Sequence, residues 1–381
     1  MRGGGTAIET SLLGYGRMNP STDPHRGAAS NPASRFARFS FAPDPDPQPG
    51  PDPGEEPAPT TEFFRDETRE VLSFNDSPDV PFRASLNPYR GCEHGCAYCY
   101  ARPTHEYFGL SAGLDFETNI FVKSRAPELL RRALAAAKWE PQLLALSGVT
   151  DPYQPVERRL GLTRRCLEVL AEFKNPVAVV TKNALVRRDL DLLADLARAR
   201  AGAVFLSVTT LDRDLSQVLE PRASVPAARL AAIEAAAAAG VPAGVLVAPV
   251  IPGLTDHEIP SILEAAARAG AAFAGFVMLR LPGAVAPLFE EWLARHRPGS
   301  KEKILNRIRS LRGGRLNDPR FGDRMRGAGP FAEQVASLFA VASRRAGLSA
   351  RGPDLSTASF RRPGAQGLLF EENPARPPSR R

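Results

Sequence analysis

The chain has 381 residues, 43% of them hydrophobic, and a net charge of +7. That length suits one large domain with tails, or two domains, and the apolar fraction supports a sizeable core, which excludes a wholly disordered chain. The positive charge permits nucleic acid as a partner without requiring it, because an arginine-rich solvated surface gives the same balance.

Residues 1–62 read as a disordered Pro-rich segment. The stretch FAPDPDPQPGPDPGEEPAPT (Phe41–Thr60) cannot bury enough apolar area to fold. Within it NPASRFARFSF stands apart, because Phe36, Phe39 and Phe41 alternate with basic or small residues and could dock on the body. No apolar h-region or cleavage signature marks the N-terminus. From residue 63 to 318 apolar runs alternate with helical periodicity. Runs at 141–148, 175–182, 203–210, 241–250 and 272–281 read as strands. Between them, 162–174 puts Leu162, Cys166, Val169, Leu170 and Phe173 on one helical face, and 185–200, 225–239 and the stretch from Asp256 continue the series. Strands that are apolar throughout and separated by helices are buried on both faces and parallel. The fold class is therefore α/β, a partial (β/α)6 TIM-like barrel with outer helices, a doubly wound sheet being the alternative; function belongs at the C-terminal ends of the strands. Residues 231–254 are the most apolar stretch, but Glu234, Gly240, Pro242 and Pro249 interrupt them, so they read as a helix and a strand and not a membrane span. A helical extension is expected over 319–350 and a disordered tail over 351–381.

Three of the four cysteines fall in NPYRGCEHGCAYCYARPTHEYFG, spaced C-x3-C-x2-C at Cys92, Cys96 and Cys99. A disulfide scaffold would spread them out, so a reducing, cytoplasmic setting fits. Thiolates select zinc or iron–sulfur clusters. Structural zinc takes four protein ligands; His94 is wedged between two cysteines, and Cys166 lies on the inner face of a helix. Three cysteines most simply hold three irons of a cubane and leave the fourth iron open to another ligand.

This loop, followed by Tyr100 and a series of βα units, resembles the radical S-adenosylmethionine (SAM) superfamily. With the flanks SGVTDPYQPVE and APVIPGLTD it resembles the spore photoproduct lyase-like branch, also labelled DNA repair photolyase-like, over about Phe64 to Asp318. The resemblance implies a [4Fe-4S] cluster on Cys92, Cys96 and Cys99, with SAM chelating the open iron. An external electron donor such as flavodoxin or ferredoxin would reduce the cluster, and the 5′-deoxyadenosyl radical from SAM would abstract a hydrogen atom. The substrate is not identified, a nucleic-acid lesion being the candidate, and the reaction is of lyase or transferase type. Carried over by position, Tyr98 packs near adenine, Thr150 and Asp151 accept from the SAM amino group, Lys182 meets its carboxylate, Ser207 or Thr209 bonds the same carboxylate or the ribose, and Val250 or Ile251 lines the adenine.

The residues around this loop leave alternatives open. Gln154 and Glu157 reach the site or cap the next helix. His105 is a proton donor or a structural hydrogen-bonder, and Arg280 faces substrate or makes a salt bridge. The branch carries a cysteine after its second strand that returns a hydrogen atom to the product. Here that run is SGVTD, with no thiol, and Tyr98, Tyr100 or Tyr153 would have to replace it. The basic run 301–315, with Arg307, Arg309 and Arg312, reads either as a phosphate-backbone contact or as an amphipathic helix with a solvated face. In the tail, Gln366–Phe370 (QGLLF) resembles peptides that dock bacterial DNA enzymes on the sliding clamp, or it does nothing. Two non-catalytic readings compete: a zinc module on a nucleic-acid-binding protein, and an iron–sulfur redox sensor.

Overall fold

The structure is a computed structural model that describes residues 26–36 and 60–363. A seven-stranded sheet forms its centre. In chain order its strands are β2 (Leu72–Phe74), β3 (Ala84–Leu86), β6 (Leu144–Leu146), β7 (Val177–Thr181), β8 (Gly202–Ser207), β9 (Ala243–Val250) and β10 (Phe273–Met278). Spatial order follows sequence order from β3 to β10, all neighbours are parallel, and β2 adds antiparallel to the β3 edge. A doubly wound sheet would reverse its winding at a switch point; this one never does, so six strands wind in one sense as a partial barrel. A second sheet is built from β1 (Glu62–Arg65), β5 (Asn119–Val122) and β4 (Tyr89–Arg90).

The helices are α1 (Asp115–Thr118), α2 (Ala126–Ala135), α3 (Glu157–Leu160), α4 (Leu162–Phe173), α5 (Leu190–Arg198), α6 (Arg213–Leu219), α7 (Pro226–Ala238), α8 (Ile259–Arg268), α9 (Val285–His296), α10 (Lys301–Ser310), α11 (Asp323–Arg326) and α12 (Pro330–Arg345). Parallel neighbours need crossovers, and α4, α5, α7 and α8 supply them. On α4 the predicted face is buried: Leu162, Cys166, Val169, Leu170 and Phe173 all enter the main core. That core continues through Val177, Val179, Val204, Val245 and Val247. Among the described residues no helix is long and apolar enough to cross a membrane.

Two expectations of disorder need correction. Residues 26–36 form a strap on the body, because the backbone N–H groups of Gly27 and Ala28 donate to the Glu117 carboxylate (3.0 and 2.8 Å). Asn31 Nδ2 donates to Asp115 Oδ1 at 2.8 Å, and Arg35 pairs with the buried Glu106 at 2.7 Å. Short-range composition cannot reveal such partners, which lie about ninety residues away. Residues 351–363 also pack: Phe360 tilts against Phe173, and Arg361 N–H donates to the Phe173 carbonyl at 2.9 Å.

The gap between the β10 edge and the β2–β3 edge is bridged by polar contacts. In the 311–329 loop, Gly322 N–H donates to Asp79 Oδ1 at 2.6 Å and Arg324 pairs with the same carboxylate. Asp79 lies in the connection between β2 and β3.

Candidate active site

Strand ends converge on one cavity of about 250 Å³. Of the residues expected from the sequence, Cys92, Cys96, Cys99, Tyr98, Tyr100, Thr150, Asp151, Lys182, Ser207 and Arg280 all line it. Val250, Ile251 and His105 do not. On β9 the pleat turns alternate residues inward, so Leu246 and Ala248, with Pro249 after them, form that wall. Val250 instead enters the main core, and Ile251 packs with Cys96 and Tyr98 behind the cavity.

The cysteine loop is fixed from beneath by Arg102, which is wholly buried. Its guanidinium donates to the carbonyls of Cys96 (3.0 and 2.9 Å), Gly95 (3.1 Å) and Gly113 (2.9 Å) and pairs with Glu117 at 2.5 Å. Gly27 of the strap meets the loop so closely that a Cβ there would stand 1.6 Å from the Gly95 carbonyl oxygen, so only glycine fits. Gln154 clamps the other side: its Oε1 accepts from Glu93 N–H (2.9 Å) and its Nε2 donates to the Gly91 carbonyl (3.2 Å). Glu157 takes the capping role, accepting from Thr163 N–H at 2.9 Å and from the Tyr89 hydroxyl at 2.5 Å.

All three thiols are free, and burial pushes each of them above its ordinary pKa. Binding of a metal centre would therefore have to displace their protons. No three His, Cys, Asp or Glu side chains among the described residues converge tightly enough to hold a single ion. His94 is already engaged through both ring nitrogens, by Asp151 at 3.4 Å and Asn183 at 3.2 Å. These contacts remove the fourth ligand on which the zinc reading depends. Three thiols around one shared cavity fit a polynuclear cluster.

Asp151 ends β6's connecting turn as a preset acceptor. Burial works against its charge, but His94 alongside, Lys182 N–H (2.7 Å) and the Thr181 hydroxyl (2.7 Å) outweigh burial and hold the carboxyl below its usual range. Thr150 lines the cavity and donates to the Tyr89 carbonyl at 3.3 Å. Lys182 donates to Ser207 Oγ (2.9 Å), Thr209 Oγ1 (3.1 Å) and the Ala248 carbonyl (2.8 Å) and lies 3.0 Å from Glu220. Burial opposes the charge of Glu220 too, yet Arg229 and Lys182 hold its carboxyl far below the usual range. Two cations thus face one carboxylate, leaving positive charge for an anionic ligand. Sequence reasoning offered Thr209 as the alternative to Ser207 but missed Glu220 and Arg229; an arginine inside the Ala-rich α7 was the available signal. The Tyr98 hydroxyl contacts Glu220 and lies 3.1 Å from Thr209, so this ring is fixed in the wall.

At the mouth, Tyr100 is half exposed and donates to the Gly148 carbonyl at 2.5 Å. The Arg280 guanidinium lies 5.3 Å above its ring, and Arg280 Nε is buried with no hydrogen-bond partner among the described residues. His105 lies elsewhere. Its ring is enclosed by Phe108, Phe116 and Phe121, its Nε2 is 2.9 Å from the Asn119 carbonyl, and burial lowers its pKa to about 4. It is a structural residue. Tyr153 is wholly buried with its hydroxyl on Asp189 (3.1 Å), away from the cavity, and Cys166 belongs to the main core. Arg312 is likewise structural, buried and donating to the Leu279 carbonyl at 2.8 Å.

Known proteins resemble this chain in both sequence and fold. An uncharacterised protein of Mycobacterium tuberculosis is 39% identical over 264 residues, 68% of this chain and 75% of that one. An uncharacterised protein of Methanocaldococcus jannaschii is 27% identical over 173 residues, 45% of this chain and 62% of that one. The solved structure of spore photoproduct lyase complexed with dinucleoside spore photoproduct superposes with a TM-score of 0.56 at 16% identity, covering 74% of this chain and 79% of that one. At that identity the likeness shows a shared fold. Residues 86–266 match the Radical SAM superfamily, and the chain belongs to that superfamily, whose members carry a [4Fe-4S] cluster and SAM.

Proposed function

We propose that Cys92, Cys96 and Cys99 hold the cluster and that this enzyme abstracts a hydrogen atom from a nucleic-acid lesion. When bound, the cluster and SAM supply the deoxyadenosyl radical. The chain's own residues bind and orient. Thr150 and Asp151 offer acceptors to the SAM amino group, and Lys182, with Ser207 beside it, meets the carboxylate through the charge that Glu220 leaves uncompensated. Leu246, Ala248 and Pro249 form the apolar wall for adenine in place of Val250 and Ile251. The observation that carries the substrate class is Arg280: a buried Nε–H at the mouth with no partner among the described residues is costly unless a ligand satisfies it, and a phosphate does so. Tyr100, on the same rim, is the candidate to return a hydrogen atom, since no fourth thiol reaches the cavity.

The test is anaerobic reconstitution of the full chain with iron, sulfide and SAM, followed by turnover on ultraviolet-irradiated DNA in deuterated buffer. Deuterium in the DNA is expected. Label in RNA, peptide or metabolite, but not in DNA, would overturn the substrate class; loss of SAM cleavage would overturn the chemistry. Sliding-clamp docking through Gln366–Phe370, which lie outside the described residues, belongs to the same proposal. A clamp pull-down unchanged by Leu369→Ala and Phe370→Ala would dismiss it.

A further inference from the structure

Cys92 and His94 line the reaction cavity, but Glu93 between them lines a different cleft. This second cleft encloses about 570 Å³ and shares no lining residue with the cavity. Among the described residues its walls carry Arg158, Arg159 and Arg222 and one carboxylate, Glu93, while Arg26 on the same wall is engaged by the Glu117 carbonyl and the Thr61 hydroxyl. That carboxylate is already neutralised: it pairs with Arg222 at 2.9 Å and accepts from Val156 N–H at 2.6 Å. Arg158 and Arg159 are exposed and make no ion pair among the described residues. Arg159 lies 5.1 Å over the ring of Phe63, itself 39% exposed. The floor is the backbone of the cysteine loop: Glu93 is peptide-bonded to Cys92, and Arg222 N–H donates to the His94 carbonyl at 3.3 Å.

We propose that this arginine cleft is the docking site of an acidic one-electron carrier protein that reduces the cluster. The inference rests on the reading above, that Cys92, Cys96 and Cys99 hold a redox-active cluster. In the step the carrier gives up one electron and the cluster takes it; no proton or group moves. Three features favour this occupant. Arginines beside an exposed aromatic ring are the composition of a protein-binding hot spot. A reductant must approach the cluster but needs no access to the substrate, and this cleft offers the first without obstructing the mouth at Tyr100 and Arg280. A nucleic-acid strand held here would instead be kept from the residues that line the cavity. Redox encounters are small and weak, and charge complementarity sets their rate, so a few arginines suffice.

The test uses the full-length protein and flavodoxin as the probe. Binding of oxidised flavodoxin to the protein is titrated directly at low and high salt, with and without Arg158→Glu and Arg159→Glu. The expected result is affinity that falls with salt and drops by about ten-fold or more in the double variant. 5′-Deoxyadenosine formation is then driven either by reduced flavodoxin or by dithionite. The variant should lose about ten-fold with flavodoxin and stay within about two-fold of the wild type with dithionite. Equal loss with both reductants, or unchanged flavodoxin affinity, overturns the proposal. So does a variant that loses binding of a single-stranded oligonucleotide while keeping flavodoxin-driven turnover, which would make this a nucleic-acid site. If the wild type forms no 5′-deoxyadenosine even with dithionite, the proposed function fails on its own, and the binding titration alone decides the docking site.

Discussion

The cysteine loop and the 311–329 loop border the same cavity and are built in opposite ways. The first is buried: Glu93, His94 and Arg102 are almost wholly enclosed, and the hydrogen-bonding groups of Arg102 are all used. The second is open: Arg315, Arg320, Phe321 and Arg326 are exposed, and Gly313, Gly314, Gly322, Gly327 and Gly329 adopt positive φ. It is held mainly through Arg312 on the Leu279 carbonyl and through the Asp79 contacts of Gly322 and Arg324. The difference teaches that the cysteine side of the cavity is over-determined, while the side formed by residues 311–329 is tied at a few points.

The largest expected effect tests the rigid half. Arg102→Met leaves the buried Glu117 carboxylate with the strap's N–H donors but without its ion-pair partner, a loss of about 3–5 kcal/mol. Denaturant midpoints should fall accordingly, and iron retention with them. An unchanged midpoint would show that the strap alone holds the loop.

Next comes acid sensitivity on the same side. Burial takes the His105 pKa from its ordinary 6.5 to about 4. The folded state therefore binds this proton less readily than the unfolded chain. Its contribution is complete above about pH 6.5 and is lost as the pH falls toward 4, amounting to roughly 2–3 kcal/mol. Stability measured from pH 7 to 4 should decline less steeply in His105→Gln; equal slopes would mean that another group carries the acid response.

Lys182→Met lies at the boundary between the two halves. Removing a charged hydrogen-bonding group should weaken SAM binding by about 1.5–3 kcal/mol, read by equilibrium dialysis on the reconstituted protein. Because Arg229 still neutralises Glu220, the fold should survive. The smallest effect belongs to the open half. Arg280→Ala should lower substrate-dependent turnover about ten-fold, the worth of one charged contact, while substrate-free SAM cleavage continues. Equal loss of both activities would place Arg280 with the cofactor.

What was legible in the sequence divides along the same line. Five apolar runs and the periodic α4 face announce the barrel, because burial on both faces writes itself into composition. The three-residue β3 and β2 were not legible: unlike the equally short β6, which lies in the run LLAL, they stand in no continuous apolar run, and their pairing comes from long-range neighbours. Cysteine spacing pointed to the thiol loop, and the family resemblance carried Asp151 and Lys182 over by position; all of them line the one cavity. Arg102, Glu220 and Arg229 were missed because a buried ion pair is a property of two distant residues and neither looks unusual alone. Val250 and Ile251 were misplaced because the pleat direction beyond Pro249 depends on how the chain turns there.

The bridge between Asp79 and Arg324 has a further consequence for how a polymer would reach the reaction centre. A fully closed barrel is a tube, entered only through its ends. Here the wall is fastened along one flank by side-chain contacts of Asp79 and Ser77 with Gly322 and Arg324 instead of a ladder of backbone pairs. A strand with no free terminus needs only that clasp undone to be laid in sideways, and counter-ions weaken such a clasp while leaving the hydrogen-bonded staves untouched.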